Sequence, residues 1–506
     1  MKFVLKAINN HKESEIYQTA KIAEEYDRKN NLTIVNFEKT FVDAMGRIVP
    51  DKFSPNHKMR SNFYHQFTMQ QVQYLLSNGV KWKNESTAKK LGKNFNNELK
   101  RIAKASLDGG VGWGFWNFDG ERSRMVMFKV GTCTNEPVFM PWEDEKNGML
   151  MSGVRFWQLD TKRPTFAELY EVDGKTVYKF ESGKDGEIVQ KKTPYKIFRA
   201  YSEISGYEYR GGENYPMLPI VPLWNTNKQS EIVGMRELID CYDLMSNAFA
   251  NDLDGAQILW ALRGAQGMNQ EELVKLIEIF KATGIINPSE GQEIQPIPVN
   301  IPYEAREQLL NRIKADLYSN YGAVNIDEIK SGNVVNAQIR AVFDPLDKKT
   351  DEFEYNVTEF LDNFLKVVGI EDEVPKYKRS LFVNSSEELQ NTLQSKDYLS
   401  DEYITERVLS IFGDGDVYEE VQKQKTAEDM ERMGAITAQT SEGIDIDETI
   451  DNAEKIGGQL NGAQTQSLVS VVQQYASGAL TEGQAANIIS KAIGVTRDEA
   501  LEILKS

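Results

Sequence analysis

The feature that most constrains this chain is an interruption. Between two long helical patterns lies GIINPSEGQEIQPIPVNIP, residues 284–302, which reads as a turn, a strand with Ile297, Val299 and Ile301 alternating, and a proline-punctuated exit. Before it, Met235, Leu238, Tyr242, Met245, Phe249 and Leu253 recur at spacings of three and four. That stripe predicts a helix of about 26 residues and about 40 Å, capped by Ser230 and ending near Gly255. Glu231, Glu237, Asp240, Asp243, Asp252 and Asp254 fall on its other faces, and a narrow apolar seam with acidic flanks predicts a packed bundle element. After the interruption, Pro302 opens a second helix that ends at Gly322, with Leu309, Leu310, Ile313, Leu317 and Tyr321 as its stripe. QILWALRG and QEIQPIPVNIP predict two strands around a helix in NQEELVKLIEIFKATG. Two long helices therefore flank a small strand–helix–strand module.

The rest of the chain supplies the parts for a mixed fold of class α+β. Residues 12–30 read as a polar helix and NNLTIVNF as a short strand. A helix follows with Phe67, Val72, Leu75 and Leu76 as its buried face and Gly79 as its stop, then a second over about residues 86–108. From residue 110 to 223 the pattern is that of an antiparallel meander, with Asp119-Gly120, Asp173-Gly174 and Asp185-Gly186 at hairpin turns. PMLPIVPLWNTN closes it with prolines suited to edges. A third long helical pattern runs from Asn336 to about Val368 with Pro345 inside, which predicts a kink. KRSLFVNSS reads as a strand, and helices are expected near 386–397, 401–411 and 416–433. Residues 434–458 read as an acidic, aperiodic linker. The tail carries two capping boxes, Thr481 with Gln484 and Thr496 with Glu499.

Composition narrows the chemistry. The chain has 506 residues, enough for about three domains. It has no apolar run long enough for a membrane span, no secretory pattern at its start, and two cysteines, Cys133 and Cys241, far apart in sequence. Its net charge of −17 goes with no visible basic stripe, so tight gripping of DNA phosphates is not expected. Acidic walls around DNA would favour sliding; the alternative is that the charge serves solubility alone. Enzyme signatures are thin. The three histidines, His11, His57 and His65, match no ligand or triad spacing. GGVGWG at 109–114 lacks the Gly-Lys-Ser/Thr ending of a phosphate loop and leads into a strand, which predicts tight backbone packing instead. GDGDVYEE from 413 and DIDETID from 445 lack calcium-loop spacing, and 76 acidic residues guarantee chance carboxylate pairs. No catalytic residue, metal site or cofactor is expected.

The order of parts carries a resemblance. LPIVPLWNTNKQSEIVGMRELIDCYDLMSNAFANDLDGAQILWALRG resembles the central signature of portal proteins of long-tailed double-stranded DNA bacteriophages. Pro222, Trp224 and Asn225 match its first part, and Leu238, Ile239 and Asp240 its second. Ser246, Asn251 and Asp252 follow, and Gly264 closes the strand. IPYEAREQLLNRIKADLYSNYGAVNID looks like the helix leading to the family's internal loop. Family members often begin the next helix with Ser-Gly, whereas VVNAQIR stands there and Ser331-Gly332 lie slightly earlier. The similarity spans about residues 15–430.

What the resemblance implies is a portal fold, with an antiparallel β-rich wing, long stem helices, a small α/β clip and an α-helical crown. The expected parts are wing, 1–229 and again 336–383 with the kinked helix; stem helices, 230–258 and 302–322; clip, 259–301; tunnel loop, 323–335; and crown, 384–433. The resemblance gives no place to the acidic linker with C-terminal helices, 434–506. The implied protein is a non-enzymatic, dodecameric homo-oligomeric ring at one capsid vertex, in the virion and, during assembly, in the host cytoplasm. DNA would pass through it in packaging and ejection. Its implied partners are viral double-stranded DNA held without sequence specificity, the terminase large subunit, the head-tail adaptor, scaffolding protein and major capsid protein, with no membrane. Channel contacts are expected at Asn325, Asp327, Glu328, Lys330 and Asn333, with Lys330 the one cation of the loop. Clip docking is expected at Glu271, Glu272, Glu290 and Gln292, and the helix kink at Pro345. The other readings are a β-rich virion hydrolase and a scaffold that binds only proteins.

Overall fold

A computed structural model describes the chain outside residues 43–45, 53, 145, 147, 182–185, 203–205, 255–257, 264–268, 270, 273–274, 277–278, 280–282, 284–292, 299–301, 327–334, 381–384, 397, 415–416, 440–445, 458–459, 461, 477–478 and 506. It divides into two compact units, Met1–Val383 and Asn384–Ser506.

The first unit is built on the helix Phe95–Gly109 and the strands that follow it. Ile102, Ala103 and Leu107 point from that helix onto Val111–Phe118, the middle strand of a three-stranded antiparallel sheet whose edges are Ile220–Trp224 and Ser123–Lys129. The glycines of GGVGWG set the spacing. A Cβ on Gly112 would lie 2.5 Å from the carbonyl oxygen of Ile102, and one on Gly114 2.7 Å from Cζ of Phe360. Helix Phe95–Gly109 and the long helix Asn336–Val368 can therefore press directly onto the strand. Between them Trp116, Phe360 and Phe364 form a buried aromatic core, while Trp113, on the strand's other face, packs on Phe139.

The meander expected over 110–223 is not one sheet. It splits into that three-stranded sheet, a five-stranded sheet and the pair Lys196–Ser202 with Gly206–Glu213, all antiparallel. The hairpin turns are as read at Asp119-Gly120, where Asp119 Oδ1 accepts the N–H of Glu121 and Arg122, and at Asp173-Gly174; Asp185 lies outside the described residues. Turn chemistry is local, but which strand joins which sheet depends on partners far along the chain. Pro222 sits on an edge strand, as a residue without an N–H should.

Several elements differ from the sequence reading. Leu32–Val35 is one helical turn, not a strand, because the Asn31 side chain accepts the N–H of Thr33 and Ile34. The single helix expected over 86–108 is two, Glu85–Leu91 and Phe95–Gly109, broken at Gly92 with φ of +85°. The helix expected over 12–30 is Glu15–Asp27, and a separate helix, Lys2–Glu13, precedes it and buries Val4, Ile8 and His11. KRSLFVNSS, residues 378–386, lies outside the described residues at 381–384; the strand here is Lys376–Tyr377, just before it, paired with Val80–Lys81. The third long helix, by contrast, is Asn336–Val368 with Pro345 inside it, as expected.

In the second unit the helices Ser385–Gln394, Asp401–Phe412 and Tyr418–Gln439 are near their expected places. The linker reading of 434–458 is corrected. Ile446–Gly457 is a helix, because Thr449 and Ala453 are buried on one face with Ile450 and Ile456 beside them. It packs with Gly462–Ala476 and Arg497–Lys505 around Leu468, Ile489 and Ile503. Both capping boxes close: the Thr481 N–H reaches Gln484 Oε1 at 3.0 Å, and the Thr496 N–H reaches Glu499 Oε2 at 2.7 Å.

Gly114→Ala should destabilise the first unit by about 1–3 kcal/mol, because Phe360 has no free volume into which to swing. Thermal unfolding of the variant beside the parent checks this; an unchanged midpoint would mean that the strand and helix can part without cost.

Candidate functional site

The helix expected from Ser230 begins later. Ser230 Oγ accepts the N–H of Ile232, Gly234 takes φ of +81°, and the regular helix is Arg236–Asp254, about 28 Å long. The returning helix is Tyr303–Tyr321. The two pack antiparallel: Phe249 meets Tyr303 and Asp252 pairs with Arg306 near one end, and Phe63 touches both Tyr242 and Tyr318 near the other. Beyond them Ile258–Arg263 pairs with Glu293–Pro298, register Ile258↔Pro298 to Arg263↔Glu293, so these short strands are each other's partners. Between the strands, the described residues Glu271, Glu272, Lys275, Leu276, Ile279 and Thr283 are helical.

Burial on the outgoing helix follows the sequence reading only at its start, where Met235 is buried and Leu238 and Tyr242 pack on the core, and departs from it further along. Its buried residues are Ile239, Asp243, Asn247 and Asn251, whereas Met245 is 39% exposed and Leu253 57%. The reason is a ladder. The Oδ1 atoms of Asn251, Asn247 and Asp243 accept the backbone N–H of His57 at 2.7 Å, Met59 at 2.7 Å and Ser61 at 3.0 Å. Asn247 Nδ2 returns a bond to the Met59 carbonyl at 2.8 Å, and Asp243 Oδ2 accepts from Asn31 Nδ2 at 2.9 Å. Four residues along a helix advance about 6 Å and two along an extended chain about 6.6 Å, so a stripe at i, i+4, i+8 can hold every second N–H of a strand-like segment. Burial raises the Asp243 carboxyl above the ordinary range, while the bonds from Asn31 and Ser61 draw it back.

The acids on the helix's other faces, Glu237 apart, have partners. Asp240 accepts from the hydroxyls of Tyr26 and Thr33; burial first, then that hydrogen bond and the Asp240 charge, push Tyr26 up to about 12. Asp254 faces His57 and Glu231 faces Lys349. Of the resemblance's signature residues, Ile239, Asp240, Asn251 and Asp252 thus hold the outgoing helix to its neighbours, and Gly264 lies outside the described residues.

The returning helix buries Ile313, Leu317 and Tyr321 but leaves Leu309 43% exposed and Tyr303 46%. Its end is gripped by two adjacent glutamines that sequence reasoning passed over. The Tyr321 hydroxyl donates to Gln71 Oε1 at 2.7 Å, and Gln70 takes the Val324 N–H at 2.9 Å and gives its own amide to the Val324 carbonyl at 3.2 Å. Asn325 follows directly and is half-buried. Asp327, Glu328, Lys330 and Asn333 lie outside the described residues, as do Glu290 and Gln292. Glu271 and Glu272 are exposed, and Glu272 is engaged with Asn269, each side chain taking the other's backbone N–H. Pro345 is exposed, and a Cβ on Gly322 would come within 3.4 Å of the Pro345 carbonyl oxygen.

The histidines are not brought together. His11 is buried on the Val130 carbonyl and lowered by that burial, His57 meets Asp254 and His65 meets Asp27. None of the described helices is long and apolar enough to cross a membrane.

Residues 5–433 match the family described as phage portal protein, SPP1 Gp6-like. The portal protein of Clostridium phage phiCD119 is 23% identical over 361 residues, which cover 68% of this chain and 77% of that protein. Among solved structures, a chain from the neck of a native GTA particle computed with C12 symmetry aligns at a TM-score of 0.33, with 12% identity, covering 68% of this chain and 89% of its own. One from the neck of an empty GTA particle computed with C6 symmetry aligns at 0.33, with 10% identity, covering 69% and 90%.

Asn247→Ala should cost about 1–3 kcal/mol, since it leaves both polar groups of Met59 without their partner. Amide exchange at His57, Met59 and Ser61 should accelerate while Val111–Phe118 stays protected. Unchanged exchange at those three positions would show that the segment is held by something else.

Proposed function

Because this chain belongs to the phage portal protein family, SPP1 Gp6-like, we propose that it closes into a dodecameric ring at one capsid vertex, the channel through which DNA is packaged and ejected. The observation that carries this reading is the excursion between Arg236 and Tyr321. A helix leads out, a strand pair ends it, and a helix leads back. Both helices keep part of their apolar stripe uncovered at Met245, Leu253, Tyr303 and Leu309. In a ring, neighbouring copies would cover those side chains. Phage portal proteins are structural components of the virion, and the reading calls for no catalytic residue in this chain.

In this assignment 1–229 and 336–383 form the wing, the two helices the stem, 259–301 the clip, 323–335 the tunnel loop and 384–433 the crown. Glu271, exposed and not tied to a cap, is the described clip residue best suited to the terminase large subunit or the head-tail adaptor. Scaffolding protein and major capsid protein would meet the ring within the capsid. The tunnel loop would begin where Gln70 holds Val324, so that Asn325 and the loop after it, with Lys330 as its cation, move about a fixed root. Pro345 would tune that root: its missing N–H leaves the Ala341 carbonyl without its helical partner, and it lies beside Gly322.

Negative-stain images of the purified chain should show rings with a central hole; particles without a hole would overturn the ring. Pro345→Ala should leave ring assembly intact and lower the yield of packaged DNA. Packaging equal to the parent would remove any role for the proline.

A further inference from the structure

The sequence shows no basic stripe, yet the fold assembles one basic groove on this acidic chain. The turn between helices Glu85–Leu91 and Phe95–Gly109 stands opposite the hairpin at Asp119-Gly120, and the groove between them measures about 690 Å³. It is lined by Lys89, Lys90, Lys93, Arg101, Arg122 and Arg124, against one carboxylate, Glu98. Arg101 pairs with Glu98, Lys90 reaches the Gly369 carbonyl, and Lys89 lies 3.7 Å from Glu85 across a solvent-exposed pair. The side chains of Lys93, Arg122 and Arg124 are exposed and form no ion pair or hydrogen bond with the described residues. The hairpin carries two acids: Asp119 Oδ1 takes the N–H groups of Glu121 and Arg122 while its charge also acts on Arg124 and Arg122, and Glu121 is exposed. Like charges held on two facing walls repel one another, and a polyanion laid between them removes that repulsion.

We infer that this groove is a second nucleic-acid contact, which takes the phosphate backbone of double-stranded DNA outside the tunnel loop. The choice of DNA over other polyanions rests on the portal reading; the choice of backbone over bases rests on the groove itself. Its one aromatic lining residue, Phe95, is buried, so no ring is offered for stacking and single strands gain nothing over duplex. Cations and small neutral donors such as Asn94 and Ser123 suit phosphate oxygens, which position a duplex without reading its sequence.

The test uses the full chain and a mixed-sequence duplex of about two helical turns, with binding followed against salt. The parent should bind with a log–log salt slope of about −3 to −5, as expected for three to six neutralised phosphates. Lys93→Glu, Arg122→Glu and Arg124→Glu together should weaken binding at least tenfold and flatten the slope by about three. Reversing the exposed Lys6, Lys191 and Lys378 instead should leave the slope unchanged. Equal binding by the groove variant and the parent would overturn the inference. So would capture of polyglutamate with no capture of duplex, which would make the groove a dock for an acidic protein segment. Rings are imaged in the same samples, so a failure to form them counts against the oligomer and not against the groove.

Discussion

Much of the first unit depends on one interaction, the ladder between the helix Arg236–Asp254 and the backbone of residues 57–61. A helix normally meets its neighbours through apolar side chains, and a strand through other strands. Here Asp243, Asn247 and Asn251 act as a strand edge mounted on a helix, and they hold three alternate N–H groups of an irregular segment. Each bond contributes on the order of 1 kcal/mol net, but a buried Asn or Asp left unpaired costs about 1–3 kcal/mol. The asymmetry makes the arrangement close to all-or-none. It also brings in the N-terminal part, because Asn31 both joins Asp243 and caps Leu32–Val35.

Placing polar groups on the buried side has a consequence for the other side. The apolar stripe that would ordinarily bury itself within one chain is left facing outward at Met245 and Leu253, and the returning helix does the same at Leu309. A single copy satisfies the hydrogen bonds of this helix and covers its seam at Leu238 and Tyr242, but not at Met245 and Leu253. Coverage of the seam is then available to a neighbour. The hydrogen bonds that hold the fold together thus lie on one face of this helix, and the uncovered part of its seam lies on another.

A similar division applies to charge. Asp240, Asp243, Asp252 and Asp254 are bound to partners within the fold, so they add less to a repulsive wall than their number indicates. The cations of the groove near Gly92 have fewer partners and keep more of their field. Net charge of a whole chain therefore says little about the sign of any one surface.

What the sequence by itself determined is what local chemistry controls. Apolar spacing located Phe63–Leu76, Tyr303–Tyr321 and Asn336–Val368; Asp-Gly turns located the hairpins; Thr481 and Thr496 located two helix starts. The run of parts with its signature residues sufficed to place the chain beside phage portal proteins. What only the tertiary structure decided depends on partners far away along the chain. An Asn at position 247 reads as solvent-facing until Met59, 188 residues earlier, supplies its partners. Gln70 and Gln71 read as an ordinary polar helix surface until Val324 and Tyr321 arrive. Lys93 and Arg124 read as scattered charges until a turn and a hairpin bring them to one groove. Periodicity records which residues prefer water on average; it does not record a polar group whose hydrogen bonds are met by distant backbone, and that is what oriented the central helix.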